Sequence, residues 1–237
     1  MGKALKDGYR KKVFLMTKID GQTEKAATQQ INESLKRLQT DTIDLLQFHE
    51  VIRMSDPEHI FASSGGMEAV LKAIKEGKIR YIGFTGHKSP DIHLKMLYTA
   101  HNHDFIFDTV QMPLNIMDAH YDSFEKKVLS VALASNIGII AMKSMAMGMI
   151  LKSKIATPVE CLHYAMNLPV SSVVTGCDSL PILQQALDAA RSFSPMNEEI
   201  RLALLAKSAK AAKSGKYERY KTQTIHDATS QNSQWLG

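Results

Sequence analysis

Short apolar runs alternate along this chain with longer stretches of helical period. The first run, Val13-Phe14-Leu15-Met16-Thr17-Lys18, stops at a lysine. The second, Ile43-Asp44-Leu45-Leu46-Gln47-Phe48-His49-Glu50, stops at a histidine and a glutamate. Between them an Asp20-Gly21 turn leads into residues 23–38, which set Ala27, Ile31, Leu35 and Leu38 on one helical face. Strand, helix, strand at this spacing is the rhythm of a parallel sheet, whose strands need long crossover connections. The beat continues with a helix over 67–76 closed by Gly77, a third strand over 78–86 and a helix over 90–101. A fourth strand over 107–112 is broken by Pro113, and a helix over 121–135 leads to a fifth strand over 136–142. Pro158 opens a helix to 167, a sixth strand spans 170–175, and helices over 179–191 and about 195–214 close the pattern.

Residues 1–7 read as the last turns of a helix ending near Gly8, with no N-cap of its own. The expectation is that the natural gene, or an ancestor, encodes more sequence upstream; the alternative is a genuine short start with a frayed first helix. Residues 215–237 form a polar tail with Trp235 near its end. Six strand–helix units are an awkward number, since a parallel barrel closes well at eight strands. An open dinucleotide-binding sheet of six would carry a Gly-rich loop after its first strand, and the chain has neither GxGxxG nor GxxxxGK[ST]. The fold class expected is therefore α/β, of the (β/α)8 TIM-barrel type, as an incomplete barrel of six parallel strands forming one domain over residues 1–237.

In a parallel barrel all strands point the same way, so the groups that end them share one rim. Lys18 and His49 are then expected to face one another across a pocket. Composition adds little that competes with this. The hydrophobic fraction of 44% and charged fraction of 22% are ordinary for a globular domain. The net charge of +5 is spread along helices rather than gathered into a block, which argues against a nucleic-acid partner and suits a pocket for an anionic cofactor. Cys161 and Cys177 lack zinc or disulfide spacing and read as reduced thiols of a cytoplasmic protein. No apolar run reaches the ~18 residues of a membrane span. His101 and His103 lie in a polar loop without a third ligand, so no metal site is expected.

Taken in order, the strand ends Thr17-Lys18, Leu46-Gln47-Phe48-His49, Ile82-Gly83-Phe84-Thr85-Gly86, Val110-Gln111-Met112-Pro113-Leu114-Asn115, Ile140-Ala141-Met142-Lys143 and Thr175-Gly176-Cys177-Asp178 resemble those of the aldo-keto reductase family. The closing Trp235-Leu236-Gly237 is similar to the tail of bacterial members. The resemblance implies an eight-stranded barrel that binds NADPH or NADH without a Rossmann motif and reduces aldehydes and ketones. It implies a catalytic set of Asp, Tyr, Lys and His, in which the Tyr hydroxyl protonates the carbonyl oxygen and Lys lowers the Tyr pKa. A phenol near pKa 10 is a poor acid at neutral pH, and a nearby ammonium eases release of its proton. By this resemblance Lys18 and His49 are catalytic. The Asp and Tyr would fall upstream of residue 1, and Tyr9, before its strand, is no substitute.

The resemblance also assigns the cofactor side. Thr85 and Gly86 stand where relatives hold the nicotinamide amide with a Ser-Asn pair, and Gln111 matches the amide-binding glutamine. Met142 stands where many members stack a tyrosine on the nicotinamide. Lys143 follows it toward the pyrophosphate, and Met145 belongs to the same wall. Gly176, Cys177, Asp178, Gln184 and Gln185 match the adenosine end. Ile182 takes an arginine-like position and Asp178 is acidic, which weakens the case for the 2′-phosphate of NADPH. The function expected is hydride transfer from NAD(P)H to a small carbonyl compound, impaired here. The alternatives are a non-catalytic nucleotide-binding regulatory barrel and an inactive fragment that needs a partner chain. Oligomeric state is left open.

Overall fold

The computed structural model describes residues 1–237. Six strands are hydrogen-bonded into one sheet in chain order, β1 Met16–Ile19, β2 Ile43–Phe48, β3 Ile79–Thr85, β4 Thr109–Pro113, β5 Gly138–Met142 and β6 Ser172–Val173. The pairs β1–β2, β2–β3 and β5–β6 are parallel, as the strand–helix alternation predicts. By Cα packing the chain falls into two compact units. One comprises residues 1–86, 91–109 and 227–237, the other residues 87–90 and 110–226.

In the first unit, α1 (Glu24–Leu38) starts at Thr23, whose hydroxyl accepts from the Ala26 amide, and stops at Gln39 in the left-handed region. Ala27, Ile31 and Ser34 are its buried positions, while Leu35 and Leu38 are only half-buried. The helices α2 (Asp56–Phe61) and α3 (Gly66–Lys75) precede β3, and α4 (Pro90–Asn102) follows it. One face of the sheet is apolar: Ile19, Phe48 and Phe84 are paired in register, nearly fully buried, and Phe84 packs on His93 of α4. Asp44 ties the strand starts together. Its carboxylate accepts from the Leu15 amide at 2.8 Å, from Arg10 at 2.9 Å and from Arg80 at 2.9 Å.

The chain start differs from expectation. Residues 1–12 are not the tail of an α-helix but two short 3-10 turns, Gly2–Leu5 and Tyr9–Lys12, separated by Gly8 at φ +83°. Val13 and Phe14 lie outside β1 and are exposed, so the first apolar run is longer than the strand it contains.

In the second unit the helix expected over 121–135 is broken into α5 (Phe124–Lys127) and α6 (Leu129–Ala134). A Met-rich turn and α7 (Met149–Ser153) follow β5. α8 (Pro158–Asn167) opens on a capping box between Thr157 and Glu160. β6 is only two residues long, and α9 (Leu180–Arg191) and α10 (Glu198–Ala212) come after it. The core gathers Ile116, Ile150, Cys161, Tyr164, Leu204 and Tyr220. Burial there pushes the Cys161 thiol up to about 12, which makes it an inert packing residue. The polar tail is ordered, with α11 (Arg219–Thr222) and α12 (Ala228–Gln231). No helix is long and apolar enough to cross a membrane.

Candidate active site

The parallel register of β1 and β2 sets Lys18 beside Gln47 and Ile19 beside Phe48. Side chains alternate along a strand, so Lys18, Asp20, Gln47 and His49 project from the face opposite the apolar one. His49 continues β2 by donating its amide to the Ile19 carbonyl at 2.7 Å. Lys18 and His49 therefore stand at the same end of adjacent strands. The structure adds a residue that sequence reading took only for a turn: Asp20 Oδ1 lies 2.9 Å from His49 Nδ1. That bond holds the imidazole by Nδ1. The signal was present, since Asp20 sits two positions beyond Lys18 and shares its face by period-two alternation.

Lys18 is half-buried and has no hydrogen-bond or ion-pair partner. Burial alone holds its ammonium below the ordinary lysine range. Gln47 is fully buried, and neither of its amide atoms has a protein partner. In register with it, Gly83 lies so close to Thr109 Oγ1 that a Cβ would collide, and that hydroxyl is also buried without a partner. The row beneath the strand ends is thus polar and unsatisfied. Buried polar groups of this kind are nearly always hydrogen-bonded, and exceptions gather at working sites.

Thr85 ends β3, and its carbonyl accepts from the Val51 amide at 2.9 Å. Gly86 follows in a tight place: a Cβ there would collide with the Val51 carbonyl oxygen and approach His93 Cε1 to 2.9 Å. A side chain at this position is excluded by the local packing.

The second unit holds a cavity of about 550 Å³ at the ends of β5 and β6. Met142, Lys143, Met145, Gly176, Asp178 and Ile182 are on its wall. Gln111, Cys177, Gln184 and Gln185 are not. Gln184 bonds Asp188 within its own helix at 2.8 Å. Gln111 Nε2 donates to Met142 Sδ at 3.3 Å, while its buried Oε1 lacks a partner. The turn after β5 is backbone-strained, with Lys143, Ala146 and Met147 at φ +54°, +47° and +57°. The Lys143 ammonium stands 4.9 Å from the Tyr220 ring centroid, a cation–π contact.

Tyr220 belongs to a buried network that sequence reading missed. Its hydroxyl donates to Glu218 at 2.6 Å and accepts from Asn115 at 3.1 Å. Lys221 Nζ donates to Asp118 at 2.7 Å, to Glu218 at 3.0 Å and to the Tyr121 carbonyl at 2.8 Å. Two carboxylates share one buried ammonium, and burial raises the pKa of both Asp118 and Glu218 above the usual carboxylate range. The pairs span about a hundred residues of chain, which no local pattern records.

Parallel strands separated by helices, with a lysine and a histidine at adjacent strand ends, define a scaffold of the barrel-enzyme class. The description "Aldo/keto reductase family" fits the matching family model, which spans residues 1–193, and the chain belongs to that family of oxidoreductases. Its fold is shared with aldo-keto reductase AKR11C1 from Bacillus halodurans. The holo form aligns at TM-score 0.69 and 22% identity, covering 92% of this chain and 78% of that one. The apo form aligns at 0.67 with the same identity and coverage. Protein tas of Escherichia coli (strain K12) is 26% identical over 172 residues, 60% of this chain. Protein tas of Shigella flexneri matches equally. The match spans about half, 48%, of the length of these curated relatives.

Proposed function

We propose that this chain is an NAD(P)H-dependent reductase of small aldehydes and ketones, with Lys18 and His49 as its catalytic groups and the cavity around Lys143 as part of its nucleotide site. The observation that carries this reading is the pair itself: an uncompensated, desolvated lysine beside an imidazole locked by Asp20, on the strand ends of a family of carbonyl reductases. Both units are taken as parts of one functional domain. A reduced cytoplasmic setting accords with the two free thiols.

The residues present suit a nicotinamide nucleotide. Lys143 offers a cation to phosphate, Gly176 leaves open space where a Cβ would stand, and Gln111 Oε1 is a buried acceptor in want of an amide donor. Met142 gives a soft apolar platform. Thr85 and Gly86, with Met145 and Asp178, complete the assignment; Cys177, Gln184 and Gln185 enter it only by resemblance. Asp178 and Ile182 on the wall disfavour a 2′-phosphate, so NADH is the better fit of the two. When bound, the nucleotide supplies the reducing equivalent. The protein's own part is polarisation. The Nε2 of His49 orients the carbonyl oxygen, and the Lys18 ammonium stabilises negative charge developing there in a partly desolvated setting. The imidazole, with Nδ1 held by Asp20, is the group of this pair able to deliver a proton to that oxygen.

Titration of NADH and NADPH by nucleotide fluorescence, followed by addition of a short-chain aldehyde, tests the reading. Binding with slow aldehyde-dependent nucleotide oxidation is expected. Binding without any turnover favours a nucleotide-sensing regulatory barrel. Failure to bind either nucleotide contradicts both.

A further inference from the structure

Lys143 brings a positive charge to the wall of the cavity at the ends of β5 and β6, and it is gripped at two points. Its carbonyl accepts from Asn115 Nδ2 at 3.2 Å, as well as from the Ala146 amide at 2.7 Å. Its ammonium stands 4.9 Å from the centroid of the Tyr220 ring. Both anchors are fully buried and joined to each other. The Tyr220 hydroxyl donates to Glu218 at 2.6 Å and accepts from Asn115 at 3.1 Å. Asn115 Oδ1 accepts from the Met117 and Asp118 amides at 2.8 Å and 3.1 Å, which sets the orientation of its amide. His87 packs edge-on against the same tyrosine ring, with centroids 6.1 Å apart. The ring is thereby held in one plane.

Lys143 has reason to be held. Its backbone lies at φ +54°, a region that few residues other than glycine adopt. A lysine side chain also gives up more rotamer freedom than most when it is ordered. The nature of the anchor matters too. Lys221, in the same network, lies between Asp118 and Glu218, and its charge is neutralised inside the protein. A ring face attracts an ammonium without cancelling its charge. Met147 Sδ, 4.0 Å from Lys143 Nζ, is likewise neutral. We infer that Tyr220 is a positioning residue of the nucleotide site: it presents the Lys143 ammonium, ordered in advance and still charged, to the phosphates of a dinucleotide. The inference rests on the reading that this cavity receives the nucleotide. Pre-ordering removes the entropy that fixing a mobile lysine would cost on binding. The buried segment 218–221 then has a task at the site beyond closing its own unit.

The part played by the ring is isolated by changing its electrons and not its shape. Tyr220→Phe keeps the ring. A phenylalanine at the same place, fluorinated once and then twice at the meta positions, withdraws charge from the ring face at nearly constant volume. NADH affinity of the whole chain is read by nucleotide fluorescence. The Lys143 amine is mapped by mass after brief treatment with acetic anhydride, without nucleotide. Tyr220→Phe is expected to bind NADH within about twofold of wild type, and the difluorinated chain about two- to fivefold more weakly than Tyr220→Phe. Acetylation of Lys143 should rise about twofold over the same series while that of exposed lysines stays constant. In a Lys143→Met background the series should leave NADH affinity flat. Flat affinity or flat acetylation with Lys143 present overturns the inference. So does an equal fall in the Lys143→Met background, which a purely structural role of the ring would give. If Lys143→Met itself binds NADH as tightly as wild type, the nucleotide does not lie in this cavity, and the reading and the inference fall together.

Discussion

Individual side chains decide what this sheet can do. A lysine at a strand end is commonplace; one half-buried with no acceptor, beside an imidazole held at 2.9 Å by a carboxylate, is not. Asp20 acts through His49 by fixing which ring nitrogen is free. Asp20→Asn is expected to lower the aldehyde-reduction kcat by roughly 10–100-fold. Nucleotide affinity, followed by fluorescence, should be unchanged. Gly86 is decisive for the opposite reason, that nothing fits there. Gly86→Ala forces a methyl group against the Val51 carbonyl and should cost ~1–3 kcal/mol of stability, read from urea denaturation. The strand-end positions of Lys18 and His49 were readable because each closes an apolar run, whereas Gln111 was singled out by family resemblance. Asp20 was hidden because Asp-Gly reads first as a turn.

At the scale of elements, strand starts and strand ends divide the labour. The ends of β1 and β2 carry Lys18 and the unpartnered Gln47 amide, while near the starts of β1 to β3 Asp44 joins β1 through the Leu15 amide and β3 through Arg80. Burial raises the Asp44 carboxyl, but the Leu15 amide with Arg10 and Arg80 outweighs it and holds the pKa below the usual range. A depressed folded pKa contributes stability that is present above the unfolded value of about 4 and is lost as pH falls through the folded one. Wild type should therefore exceed Asp44→Asn in denaturation midpoint at pH 5–7, and the gap should close as pH falls below about 4. The alternation of strands and helices was readable throughout, and α1 began one residue from its expected start. What failed locally failed for tertiary reasons. The first apolar run was read as one strand, yet Val13 and Phe14 precede β1, and Phe14 stacks on Tyr81 with centroids 6.2 Å apart. The helix expected over 121–135 breaks near Val128, and the sixth strand shrinks to two residues.

For the molecule as a whole, the least legible feature was the tail. It read only as a polar tail, yet Glu218, Tyr220 and Lys221 are buried against Asn115 and Asp118. Lys221→Met strands two carboxylates without their cation and should cost ~3–5 kcal/mol, measured by chemical denaturation at pH 7. The same change should loosen Lys143, whose cation stands over Tyr220. The chain belongs to the aldo/keto reductase family, and the carbonyl reduction proposed for it rests on Lys18 beside His49. The most direct test is the rate of aldehyde-dependent NADH oxidation by the wild-type chain and by Lys18→Met, with nucleotide affinity measured in both. Slow turnover in wild type, a fall of about 10²-fold or more in the variant and equal nucleotide affinity are the predicted result. Equal rates in the two proteins would contradict it.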